Sequence, residues 1–291
     1  MPDAAVENSY QYCRQLARSA ARNFYYGFVL LPDAKRDALC ALYAFMRGID
    51  DISDEPGSIE VKRRRLQEQR AELDPILAGG KTNGPAWPAL RDTVGRFGIP
   101  PRYLHDLISG AEMDLSVVDY ETFDELRRYC YHVAGAVGLC CLYVFGFTDA
   151  HAPEFAEKMG IAFQLTNILR DVREDLAMGR VYLPREDFAK FECDVRQFGE
   201  KCASARAIEM LRFEAARARD FYHEGWKLLP LVSADSRAAL WAMARIYSGI
   251  LQKIERRGIQ VLRGERARLS AAEKVWIVFR AKIGWLDNDG A

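Results

Sequence analysis

Two acidic runs sit at helical spacing inside otherwise apolar sequence. In the first, Tyr43, Arg47, Asp50 and Asp54 follow at steps of four, three and four, which places them on one stripe of a helix. In the second, Gln164, Asn167, Asp171 and Asp175 follow at three, four and four. Ile161, Phe163, Leu165, Ile168, Leu169 and Val172 fill most of the remaining circumference, so the polar line is expected to face an internal site. Carboxylates facing each other there repel by roughly a few kcal/mol per close pair at an effective dielectric of about 20, against a total stability of about 5–15 kcal/mol. A cation is therefore expected between them. Hard oxygen ligands without nearby His or Cys favour Mg²⁺ over zinc, with Mn²⁺ as the alternative, and Mg²⁺ prefers to share its shell with substrate phosphates. Either pair alone would more simply be a solvated surface pair beside Arg47 or Arg170. Two pairs, each embedded in apolar sequence, reverse that preference.

Helices must carry these stripes. Few segments alternate with a period of two, whereas apolar residues recur at three and four along almost the whole chain, so the expected class is all-α. Pro32 with Asp33 opens the first helix and Asp54-Glu55-Pro56-Gly57 closes it, because a residue before proline is pushed out of the α region. That helix spans 34 to 55, and the second stripe falls on a helix at 152 to 176. Others are expected at 8 to 22, 58 to 78, 86 to 97, 101 to 117, 122 to 146, 203 to 229, 234 to 258 and 270 to 284. Gly79 to Pro88 has the length of an ordinary inter-helix loop. No internal period repeats, so one domain over residues 1–291 is expected.

Composition removes several functions. The 41 Lys and Arg balance 41 Asp and Glu, which leaves no basic footprint for nucleic acid. The charge-free stretch Val133 to Phe147 is shorter than the about 20 apolar residues of a spanning helix. Met1 to Tyr10 lacks the basic start and apolar core of a secretory signal, so the chain is expected in the cytoplasm without a transmembrane helix. Seven Cys without a C-x-x-C pair are expected to be reduced and mostly buried. His105, His132, His151 and His223 lack ligand spacing, and none is assigned to catalysis.

The residues resemble those of the squalene and phytoene synthases, the head-to-head isoprenyl diphosphate synthases, from about Ala20 to Leu262. The strongest part is Ala162 to Pro184, which includes Gln164-Leu-Thr-Asn167-Ile-Leu-Arg170-Asp171-Val-Arg-Glu-Asp175 and Tyr182, and is similar to the family's second aspartate-rich signature in full. Asn23-Phe24-Tyr25-Tyr26, Leu30-Leu31-Pro32 and Tyr43 to Asp54 resemble the first signature. Tyr129 to Gly138 resembles the segment that lines the family's prenyl cavity. One departure is Asn23, where the family often has Ser before the residue that corresponds to Phe24. Asp50-Asp51-Ile-Ser-Asp54 also reads as the D-D-x-x-D of head-to-tail prenyltransferases and terpene cyclases, which are not expected to carry the Asn167 to Pro184 block.

The resemblance implies a helical bundle of the isoprenoid synthase (class I prenyltransferase) type around a central apolar cavity. It implies Mg²⁺-dependent 1′-1 condensation of two farnesyl diphosphates to presqualene diphosphate. Asp50, Asp54, Asp171 and Asp175 would be the metal carboxylates; Arg47, Tyr129, Gln164 and Asn167 would act at the reacting groups. Phe24, Tyr26, Tyr43, Val133, Ala134, Val137, Gly138, Arg170, Tyr182 and Tyr247 would bind substrate, with one of Arg256, Arg257 or Arg263 near the diphosphates. The rest of the basic stretch from Lys253 to Arg268 is expected to be a solvated face. Glu112-Met-Asp114-Leu and Tyr120-Glu-Thr-Phe are similar to bacterial hopanoid-pathway presqualene diphosphate synthases.

The alternatives are a phytoene synthase using geranylgeranyl diphosphate, a complete squalene or dehydrosqualene synthase with NADPH for the reductive step, a class I terpene cyclase, and a non-catalytic homologue that assembles or binds. Downstream squalene or carotenoid enzymes and peripheral contact with the inner face of the membrane are further expected partners. Val133 to Phe147 is either a tightly packed core helix or makes room for a prenyl chain beside Phe24, Leu139, Leu142 and Leu165. On the second reading Gly138→Phe impairs chain accommodation more than folding.

Overall fold

The computed structural model describes residues 4–82, 84–116, 119–198, 204–258 and 266–286. Helices α1 (Ala4–Ala20), α2 (Arg22–Phe28), α3 (Asp33–Asp54), α4 (Ile59–Leu77), α5 (Trp87–Phe97) and α6 (Pro101–Asp114) form the first half. Then come α7 (Phe123–Cys130), a π-helical turn (Tyr131–Gly135), α8 (Ala136–Phe145), α9 (Ala152–Ala177), α10 (Arg185–Lys190), α11 (Ala205–Gly225), α12 (Ala234–Arg257) and α13 (Ala271–Lys282). No strand occurs among the described residues, in line with the all-α expectation. Local chemistry sets the ends: Thr122 and Glu125 make a capping box at α7, and Gly98, at φ +64°, closes α5 in the left-handed conformation.

At 26 residues, α9 is about 39 Å long and forms the spine of the bundle. It packs against α8, α11, α12 and the π turn. Buried side chains from Tyr10 on α1 to Ala281 on α13 join one apolar cluster, with Leu39, Leu42, Tyr222 and Trp241 fully enclosed.

Three features depart from the expected elements. The segment expected as a helix at 8 to 22 stops at Ala20, and a separate short helix, α2, carries Phe24 inward. The segment expected as one helix from 122 to 146 contains the π turn where it presses on α6 and α9. By length and composition alone Phe123–Phe145 could cross a membrane, as the core helix of a bundle also could, but half of its most apolar 18-residue window is buried inside the bundle. Helix α10, just after Pro184, has no counterpart among the expected helices.

The interior also holds a charged cluster. Arg217 pairs with Asp187 at 2.7 Å and Glu214 at 2.8 Å, with its guanidinium 4.0 Å from the Phe123 ring centre. Burial, with Asp187 nearby, pushes the Glu214 carboxyl up to about 8 against the pull of Arg217. The folded chain thus holds a proton that the unfolded chain releases above the ordinary Glu range. Stability from this group is full below that range and is lost as pH rises towards about 8. Glu214→Gln mimics the protonated acid, so its melting temperature should match the parent at low pH and increasingly exceed it up to pH 9. A pH-independent gap in thermal melts would refute this.

Candidate active site

A cavity of about 390 Å³ runs through the bundle, within the range of about 300–1,000 Å³ usual for small-molecule sites. Its polarity follows the direction of the helices. Leu39 and Leu42 line it from early turns of α3, and Ala156 and Met159 from early turns of α9. Arg47, Asp50 and Asp54 come from the last turns of α3, Asp114 from the end of α6, and Gln164 and Asn167 from further along α9. Helix C-termini add partial negative charge to the carboxylates gathered at that end.

The electrostatics register this crowding. Burial and then Asp54 push the Asp50 carboxyl up to about 7. Although Asp50 is open to the cavity space, protein surrounds that space, so the carboxylate gains little from bulk water. Burial and then Asp171 push Asp175 up to about 7. Asp114 is raised mainly by burial, against the pull of hydrogen bonds from Tyr129 and Tyr182; the Tyr182 hydroxyl lies 3.0 Å from its Oδ1. Tyr129 and Tyr182 are stacked with ring centres 5.3 Å apart, and Tyr120 completes the aromatic group. Burial pushes the Tyr129 hydroxyl well above its ordinary value, so it remains a proton donor at neutral pH.

The sequence-derived candidates separate into two groups. Phe24, Tyr43, Arg47, Asp50, Asp54, Tyr129, Val133, Ala134, Val137, Gly138, Gln164 and Asn167 all line the cavity. Arg47 pairs with Asp51, at 2.7 Å, on the next turn. The others lie at its borders or beyond. Arg170 and Tyr247 line an adjoining polar cleft that shares Phe24 and Tyr43 with the cavity. Tyr247 stacks on Phe163 and Phe24 and receives the Asn23 hydrogen bond, so the asparagine retains a polar role at the departing position. Asp171 is clasped by Arg170 at 2.8 Å and by Arg266 at 2.8 Å. Asp175 and Tyr182 border a small gap behind the site.

Several expectations need correction. Tyr26 lies away from the cavity, with the Lys274 ammonium 5.5 Å from its ring centre. Leu139, Leu142 and Leu165 are buried outside the cavity wall. Arg256 and Arg257 are exposed, and Arg256 borders a separate surface cleft; Arg263 lies outside the described residues. Among the described residues, the late-chain arginine that pairs with Asp171 is Arg266. Asp114 and Arg180, which are not among the expected site residues, also line the cavity. Asp114 had a signal, because Leu107, Ala111 and Asp114 fall at steps of four and three.

The oxygen groups suit a hard cation. Asp50, Asp54, Asp114 and Asp175 form an excess of carboxylate, and the buried Asn167 Oδ1 has no hydrogen-bond partner. Among the described residues, no three acidic, His or Cys side chains converge to enclose an ion by themselves, so an ion held here needs further oxygens from a ligand.

The squalene/phytoene synthase family model matches residues 17–273. The phytoene synthase of Mycobacterium tuberculosis is 39% identical over 279 residues, covering 95% of this chain and 91% of that protein. The 15-cis-phytoene synthase of Synechocystis is 35% identical over 297 residues, covering 98% and 87%. A crystal structure of a dehydrosqualene synthase with ligand superposes with a TM-score of 0.87 at 30% identity, covering 96% of this chain and 97% of that one. Squalene synthase HpnC from Alicyclobacillus acidocaldarius gives 0.81 at 30% identity, covering 88% and 96%. With the isoprenoid synthase bundle and its carboxylate-ended cavity in place, the chain belongs to the squalene/phytoene synthase family of prenyltransferases.

Proposed function

We propose that this chain condenses two farnesyl diphosphates head to head to presqualene diphosphate. The carrying observation is an apolar cavity whose one end collects Asp50, Asp54 and Asp114 beside Arg47 and Arg180. Asp50, Asp54, Asp171 and Asp175 are proposed to hold Mg²⁺, which when bound acts as a Lewis acid on a departing diphosphate. Arg47 and Arg180, which line the cavity, and Arg170, in the adjoining cleft, are proposed to bind phosphate oxygens by charge-assisted hydrogen bonds. Gln164 and Asn167 orient the polar head. The aromatic and aliphatic walls exclude the water that would quench an allylic cation, and Tyr129, kept protonated, offers a hydroxyl at the boundary of the two environments.

The similarity of Glu112-Met-Asp114-Leu and Tyr120-Glu-Thr-Phe to the hopanoid-pathway synthases favours the shorter prenyl chain. The names of the curated relatives favour a second reading, condensation of geranylgeranyl diphosphate to phytoene. Incubation with each diphosphate, with and without NADPH, followed by mass analysis, separates them. Presqualene diphosphate from farnesyl diphosphate, unchanged by NADPH, is expected. Phytoene from the longer substrate would install the second reading, and no product from either would overturn both. EDTA should reduce turnover to background, with recovery on added Mg²⁺; full turnover in EDTA would remove the metal from the proposal.

A further inference from the structure

Between α9 and α10 the chain runs as a short strap past the carboxylate end of the cavity. Gly179, at φ +77°, turns the chain out of α9, and the Arg180 backbone N–H donates to the Asp175 carbonyl at 2.9 Å. Val181 then makes a parallel bridge to Asp119. Further on, the backbone N–H groups of Arg185 and Glu186 donate to the carbonyls of Tyr120 and Glu121, at 2.9 and 3.0 Å. The strap is thus fixed at both ends, and the extended stretch between them sets Arg180 and Tyr182 at alternate positions on one side.

That side meets the acids. Arg180 lines the cavity, whereas Tyr182 borders the gap behind it. The Tyr182 hydroxyl donates to Asp114 Oδ1 at 3.0 Å, and its oxygen is the partner that the Arg180 guanidinium reaches. Stacking on Tyr120 and Tyr129, with ring centres 6.3 and 5.3 Å away, holds the phenol in place. The neighbouring arginines behave differently. Arg170 and Arg266 clasp Asp171, and Arg47 pairs with Asp51. Among the described residues no carboxylate pairs with Arg180, although Asp114 is close enough to act on its charge.

We infer that Tyr182 is a positioning residue: its hydroxyl stands between Asp114 and Arg180, keeps the guanidinium from closing on the carboxylate, and leaves it aimed at a diphosphate in the cavity. An arginine beside a partly buried carboxylate otherwise forms the charge-assisted pair already made at Asp171. Such a pair would consume both the cation that a phosphate needs and the negative charge of Asp114. A phenol can hold the two apart because one hydroxyl both donates and accepts. Tyr182 then acts on the substrate through Arg180 rather than by contact. The inference rests on the proposed function in one respect, that this end of the cavity takes a diphosphate.

Tyr182→Phe keeps the ring and its stacking but deletes the hydroxyl. Calorimetric titration with inorganic pyrophosphate in Mg²⁺ should show about tenfold weaker binding than the parent. In an Arg180→Gln background the same change should alter binding by less than about twofold, because the guanidinium it positions is gone. It should also lose its effect beside Asp114→Asn, which removes the charge that draws Arg180 away. Steady-state assays should show a raised KM for the prenyl diphosphate with kcat little changed. Equal weakening in the parent and in either background would overturn the inference, as would parent-like binding by Tyr182→Phe or no binding of pyrophosphate by the parent. Loss of the parent's helical circular dichroism in Tyr182→Phe would make the hydroxyl a structural group and overturn it too. Pyrophosphate carries no prenyl chain, so a failed condensation of farnesyl diphosphate leaves the titration standing, and the reverse holds as well.

Discussion

Asp50→Asn is expected to cut turnover by about 10²–10³-fold while raising the melting temperature of the metal-free protein at pH 8. The two effects have one cause. Asp50 shares the cavity end with Asp54 and Asp114, and burial with that company pushes its carboxyl up to about 7. A folded-state pKa above the unfolded value contributes stability below the ordinary Asp range and loses it as pH rises through about 7. At pH 8 the wild-type site therefore carries an unfavourable charge that the amide lacks. The same charge is what a phosphate-bridging cation requires, so removing it disables the site. Melts in EDTA and product formation in Mg²⁺ measure the two halves. A variant that loses its helical circular dichroism would show Asp50 to be a structural residue, and one with full turnover would remove it from the site.

The second large effect is on folding. Gly160→Ala should destabilise the chain by about 3 kcal/mol or more, at the upper end of overpacking costs. A Cβ at Gly160 would lie 2.3 Å from the Ala134 carbonyl oxygen and 3.0 Å from the Gly135 Cα, all backbone atoms with nowhere to move. The same contact from the other side governs Gly138, whose Cβ would meet the Ala156 carbonyl oxygen at 2.5 Å. Gly138→Phe therefore collides with α9 before it narrows the cavity, and the expectation that it would mainly alter chain accommodation is withdrawn. Both sequence readings of the Gly- and Ala-rich stretch hold at once: these residues border the cavity and also let two helices touch. Denaturant unfolding of Gly160→Ala measures the effect, and wild-type stability would contradict the tight contact.

The carboxylate stripes were legible because each lies on one helix, where spacing alone determines a shared face. Asp50, Asp54, Gln164 and Asn167 accordingly came together as their steps of three and four implied. Asp114 was harder, as its companions at helical spacing, Leu107 and Ala111, are apolar and it meets other acids only when α6 packs on α3. Arg266 was out of reach, because its contact with Asp171 spans 95 positions and is fixed by no local repeat. The break at Ala21 and the π turn were hidden for a related reason. Their causes are contacts with neighbouring helices, whereas the local sequence of both segments is compatible with continuous helix.

The π turn sets the rotational phase of one cavity wall. Tyr129, Val133, Val137 and Cys141 all line the cavity, a repeat of four kept over twelve positions. A straight α-helix advances about 100° per residue, so a repeat of four would have swung about 120° off the line by its fourth member. The wider turn at Tyr131–Gly135 absorbs much of that drift. Deleting one residue there would turn everything downstream by about 100°, carrying Val137 and Cys141 off the wall and Gly138 out of its contact with α9. The wall is thus tuned by chain length as much as by side-chain identity, and α8 can exchange side chains far more readily than it can gain or lose a residue.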